Sequence, residues 1–84
     1  MNDDELNLNK RVGKKFKDLR AQVGLDQKHV ANLLDIPRSA VSVIESGERH
    51  LSVYEFDLLC RLLRVSPNEI LGWNRSQVKE QVTK

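Results

Sequence analysis

Residues 27–46 read QKHVANLLDIPRSAVSVIES. The apolar members of this stretch, Val30, Ala31, Leu34, Ile36, Val41 and Ile44, fit two short helices packed across a tight turn. Ala31 matters most to that fit, because a small side chain there lets the second helix cross close to the first. The outward positions of the second helix are small or basic: Arg38, Ser39 and Ser42. A helix carrying such residues fits the major groove, so the pattern reads as a helix-turn-helix and points to double-stranded DNA.

The flanking sequence supplies the rest of a helical domain. Val12, Phe16, Leu19 and Val23 recur at helical spacing and predict a first helix over about 9–23, ended by Gly24. Asp26 is a good N-cap for a second helix over about 27–34. The turn is Asp35-Ile36-Pro37, where Pro37 stops the second helix and drives Ile36 towards an extended conformation. A third helix follows over about 38–46 and stops at Gly47. After the charged loop Glu48-Arg49-His50, Ser52 and Glu55 have capping-box spacing. They open a fourth helix over about 53–63, with Phe56, Leu59, Cys60 and Leu63 on one face. Ser66 and Glu69 repeat the capping spacing, with Pro67 at the first helical position. A short fifth helix over about 67–72 buries Ile70 and Leu71. The fold class expected is all-α, a five-helix domain over residues 9–72. Residues 1–8 read as a flexible acidic segment, and 73–84 as a polar tail relieved by Trp73, Val78 and Val82.

Composition agrees. The 84 residues make one domain with a small core. A hydrophobic content of 39% excludes wholesale disorder. The net charge of +2 hides an asymmetry: Asp3, Asp4 and Glu5 precede Lys10, Arg11, Lys14, Lys15, Lys17 and Arg20. Such a basic segment suits a phosphate backbone, with a solvated helix face as the alternative. Cys60 is alone and forms no internal disulfide. No stretch approaches the roughly 20 apolar residues that span a membrane, and the N-terminus lacks a secretory pattern. A cytoplasmic location is expected. His29, His50 and Cys60 have no zinc-like spacing. No glycine-rich phosphate loop or nucleophile–base set is present, so no metal, cofactor or catalytic role is expected.

With five helices placed, residues 11–72 resemble the lambda-repressor-like domains, in particular the Cro/C1-type (Xre) family of helix-turn-helix regulators. The resemblance rests on Gly24, Gln27, Ala31, Val41-Ser42, Ile44-Glu45-Ser46-Gly47 and Val65-Ser66, in order and at matching spacing. It implies a salt bridge from Arg20 to Glu45 that fixes the orientation of the third helix. It also implies a phosphate contact at Gln27, where helix N–H groups and dipole favour an anion. Three positions depart from the family pattern. Asp35 and Arg64 stand where glycine is frequent, and Pro37 replaces a hydroxyl cap.

Helix geometry places Arg38, Ser39, Ser42 and Val43 towards base edges. Arg38 suits a bidentate guanine contact, with a phosphate contact or a solvent-facing helix start as the alternatives. Val43 suits a thymine methyl. Lys28, Ser46, Arg49 and His50 are further phosphate candidates by position, followed by Lys14 and Lys15. Glu48 is expected to face away from DNA.

One reading helix covers few base pairs, so a homodimer on a palindromic operator is expected. Leu58, Leu62, Leu71 and Trp73 are the candidate interface, with Trp73 folded onto its own core as the alternative. The reading is a sequence-specific transcriptional regulator, a repressor or autoregulator. The competing reading is a protein-interaction module: an antitoxin, or a partner-binding component of a toxin–antitoxin or restriction–modification-type system. A general DNA compactor would need more charge than +2.

Overall fold

The computed structural model describes residues 1–73, so all of the expected tail except Trp73 lies outside the described residues. Five helices appear there: α1 (Asp3–Gln22), α2 (Gln27–Leu34), α3 (Arg38–Ser46), α4 (Val53–Leu63) and α5 (Pro67–Leu71). The all-α, five-helix expectation stands.

The first helix departs from expectation at both ends. It begins at Asp3, so most of the segment 1–8 expected to be loose forms its opening turns. The cause is a capping box: Asn2 Oδ1 accepts from the Glu5 N–H at 2.8 Å, and Glu5 Oε1 accepts from the Asn2 N–H. Asp3, Asp4 and Glu5 then sit in the first turn, where the helix dipole favours negative charge. At the other end Val23 is the C-cap and is 56% exposed, so it is no part of the buried stripe. Gly24 follows at φ +76°.

The turn between α2 and α3 follows its sequence chemistry. Asp26 accepts from the His29 N–H at 2.8 Å and caps α2. Asp35 ends α2 at φ 56°, a left-handed conformation that Asp tolerates better than most residues. Pro37 caps α3 in extended conformation without a side-chain hydrogen bond. Ser52 with Glu55 forms a reciprocal capping box on α4, and Ser66 caps α5. Arg64 ends α4 at φ 55°.

The core comprises Val12, Phe16, Val30, Ala31, Leu34, Val41, Ile44, Leu59, Cys60, Leu63 and Ile70. Phe16 and Phe56 meet edge to face, centroids 5.6 Å apart, joining α1 to α4. Arg11 Nη2 donates to the Leu71 carbonyl at 3.3 Å and ties α5 to α1. The main helix pairing sets α1 against α3, and two glycines make it close. A Cβ at Gly13 would overlap the Ile44 carbonyl oxygen and lie 2.7 Å from that of Glu45. A Cβ at Gly47 would overlap the Lys10 backbone. The C-terminal end of α3 therefore rests directly on the α1 backbone.

Candidate nucleic-acid interface

The α3 sequence divides cleanly between two faces. Val41, Ile44 and Glu45 are buried. Arg38, Ser39, Ser42 and Val43 are exposed, Val43 at 37%. All four expected base-reading residues therefore lie on the outward face of a helix held firmly from behind.

A polar chain runs beneath that helix. Arg20 Nε donates to Glu45 Oε2 at 2.6 Å, and Arg20 Nη2 donates to Oε1 at 3.2 Å. Arg20 Nη1 donates to the Leu25 carbonyl at 2.8 Å. The hydrogen bond to Glu45 raises the Arg20 pKa above its ordinary value, against the opposing pull of burial. Gln27 Nε2 also donates to Glu45 Oε1, at 2.9 Å, and Gln27 Oε1 accepts from Arg38 Nε at 3.4 Å. Arg20, Glu45, Gln27 and Arg38 thus form one continuous network linking α1, α2 and the first residue of α3.

The Gln27 side chain, expected to contact phosphate, is engaged within the protein. Both ends of its amide are bonded within the protein, because Glu45 offers a carboxylate oxygen and Arg38 a donor within reach. Its backbone N–H, at the open N-terminus of α2, remains suited to an anion. Lys28 is exposed at the same helix end and joins no ion pair among the described residues.

The loop after α3 is tied down by its own hydrogen bonds. Arg49 Nη1 and Nη2 donate to Glu55 Oε1 and Oε2 at 2.8 and 2.9 Å, and Nη1 donates to the His50 carbonyl at 3.0 Å. Glu55 is buried in α4, so Arg49 pins the loop to the core. The hydrogen bond from Arg49 holds the Glu55 carboxyl at about 2. The Ser46 hydroxyl lies 2.8 Å from Glu48 Oε1 and 3.0 Å from the Val43 carbonyl. Its proton serves an internal acceptor, and Glu48 sits beside it. His50 is exposed.

Lys14 and Lys15 belong to another side of the molecule. Lys14 pairs with Asp18 at 3.0 Å on the exposed face of α1. Both lysines line a groove with Arg11, Asp18, Glu69, Ile70 and Gly72, against α5. Gly13 and Arg20 of α1 approach the end of α3, and Lys10 lies against Gly47 just beyond it.

The four candidate interface residues do not form one patch. Leu58 and Leu62 line a groove with Leu33, Leu34 and Arg61 between α2 and α4. Leu71 lines a separate groove with Leu8, Val12, Leu51, Val53 and Phe56. Trp73 is half-buried at the end of the described chain. Sequence reasoning passed over Leu33, Val53 and Tyr54, which are 51%, 87% and 67% exposed. Val53 and Tyr54 were visible as apolar residues off the core stripe of α4. The other omissions are Gly13, signalled only by a glycine in mid-helix, and the buried Glu55, signalled by nothing beyond its capping-box position.

Among the described residues no His, Cys, Asp or Glu cluster is placed to hold a metal ion. Cys60 is buried, and desolvation pushes its thiol pKa up. No helix of the described residues is long and apolar enough to cross a membrane.

Comparison with known proteins places this geometry. The model of the helix-turn-helix family HTH_3, of Cro/C1 type, matches residues 16–70. Among solved structures, the restriction–modification controller protein C.AhdI from Aeromonas hydrophila is similar, with 33% identity and a TM-score of 0.66. The match covers 76% of this chain and 96% of that one. No curated protein matches the chain. The chain belongs to the Cro/C1-type (Xre) helix-turn-helix family and is a DNA-binding regulator of the lambda-repressor-like fold.

Proposed function

We propose that the chain is a sequence-specific transcriptional regulator, a repressor or autoregulator, that binds a palindromic operator as a homodimer and inserts α3 into the major groove. One observation carries this reading. The outward face of α3, with Arg38, Ser39, Ser42 and Val43, is held by the Arg20–Glu45–Gln27 network and by the close approach at Gly13. A reading helix needs that rigidity, because base readout depends on placing donors within hydrogen-bond distance of particular edges. Arg38 reads a guanine, Ser39 and Ser42 add polar contacts, and Val43 packs on a thymine methyl. The α2 backbone N–H groups, Lys28 and His50 hold phosphates on the flanks. The likeness to a restriction–modification controller protein supports a regulatory duty for a chain of this size.

Selection of bound sites from random duplexes tests the reading. The wild type should return two inverted half-sites about one helical turn apart, roughly 34–36 Å centre to centre. Arg38→Ala should lose the preference at one base position of each half-site, where a bidentate contact is worth about 1–3 kcal/mol. A featureless wild-type profile would overturn sequence-specific binding. A wild-type profile with only one half-site would overturn the symmetric dimer.

A further inference from the structure

We propose that α1 carries a phosphate-binding edge formed by Lys10 and Lys17, which grips the DNA backbone alongside α3, while Lys14 and Lys15 take no part. This rests on the duplex-binding reading above and adds residues to it. Both lysines belong to the basic segment of α1, of which only Lys14 and Lys15 are individual phosphate candidates by sequence, and Lys10 precedes the family-matched span of residues 16–70.

The α1–α3 crossing sets the orientation of α1. Gly13 lies on the Ile44 and Glu45 carbonyls, which fixes the α1 face turned towards α3. Arg20, seven residues on, bonds Glu45 from the same face. At 100° per residue, Lys10 and Lys17 fall about 60° and 40° from Gly13, on one flank of that face. They stand about 10.5 Å apart along the axis, two turns of helix. Lys15 falls about 160° away, on the far side, and borders the groove against α5. Lys14 lies further round than Lys10 and Lys17 and is neutralised by Asp18.

Lys10 has a second anchor. The Gly47 α-carbon sits so close that an added Cβ would lie 2.6 Å from Lys10 Cγ and overlap the Lys10 backbone. Its aliphatic stem therefore lies against the start of the loop that follows α3, and its ammonium reaches from there into solvent. Lys10 and Lys17 are both exposed, and neither forms an ion pair among the described residues. Two uncompensated cations thus stand on one flank of the α1 face that packs on the end of α3. Phosphates line both walls of a groove, so a helix lying in it meets backbone charge on each side. With Arg49 committed to Glu55 and Ser46 bonded internally, these lysines supply the cations that the loop itself lacks.

The test is the salt dependence of duplex binding for K10Q, K17Q, K14Q and K15Q, measured on the DNA upstream of the gene and on a shuffled copy. K10Q and K17Q should each lower the slope of log K against log salt by about 0.9 on both duplexes. K14Q and K15Q should leave it unchanged, K10R should restore the wild-type slope, and all five variants should keep the wild-type unfolding midpoint. An unchanged slope for both K10Q and K17Q would overturn the proposal. An equal decrease for all four glutamine variants would also overturn it, since net charge alone would then be at work. Failure of the sequence-specific reading shows separately, as equal wild-type affinity for the two duplexes, and leaves the slope comparison able to judge the lysines.

Discussion

Arg20 and Glu45, one on α1 and one near the end of α3, form a two-pronged ion pair with contacts of 2.6 and 3.2 Å. Their side chains are only 14% and 7% exposed. The pair joins the scaffold to the reading helix, and Gln27 extends it to Arg38. Arg20→Ala should leave the Glu45 carboxylate buried without its cation and cost about 3–5 kcal/mol. Urea unfolding of the single variants and of Arg20→Ala with Glu45→Ala checks this. The double variant should be less destabilised than the sum of the two singles.

The approach of α1 to α3 makes Gly13 irreplaceable for a reason opposite to helix propensity. In an open helix Gly→Ala stabilises by roughly 0.5–1 kcal/mol. Here the new methyl would collide with carbonyl oxygens of α3, which cannot swing aside as a flexible side chain would. Gly13→Ala should lower the thermal midpoint, with a cost of about 1–3 kcal/mol typical of overpacking. DNA affinity should fall with it, because α3 must shift. A raised midpoint would mean that the helices sit further apart.

Much of the fold was legible because caps and apolar spacing agree. Asp26, Ser52 and Ser66 each announced a helix start that exists. The start of α1 was missed because its signal is Asn2 with Glu5, a polar cap with no apolar stripe behind it. Periodicity alone puts Val23 in the core, although the helix has already ended there. The outward residues of α3 follow from helix geometry. The partners of Gln27, Arg49 and Ser46 do not, since a side chain that suits phosphate also suits a carboxylate, and only folding brings Glu45 and Glu55 within reach. The same holds for Lys14 and Lys15: a run of basic residues does not state which of them share a face with α3.

The Arg49–Glu55 pair gives stability a defined acid dependence. The Glu55 carboxyl is held at about 2 against an ordinary 4.5, chiefly by its hydrogen bond to Arg49. Because the folded pKa is depressed, the contribution is complete above about pH 4.5 and is lost as pH falls towards 2. Unfolding free energy measured across that window should fall in the wild type. In Arg49→Ala the stability should already be low at neutral pH and should change less on acidification. Equal slopes in the two proteins would remove the pair from the account.

Arg64 ends α4 at φ 55°, where a side chain is strained. Arg64→Gly should relieve about 1–2 kcal/mol of strain against about 0.5–1 kcal/mol of added backbone entropy, a small net gain in stability with no change in m-value. A lower denaturant midpoint would show that the Arg64 side chain contributes more than its backbone costs.

The central claim is that this regulator distinguishes one duplex from another through α3. A titration of the protein against the DNA upstream of its own gene and against a shuffled copy, at two salt concentrations, tests it most directly. The expected result is a preference of at least about 10³ for the native duplex, with two protomers bound. Equal, weak and steeply salt-dependent binding to both duplexes would contradict it, leaving only electrostatic contact with the backbone.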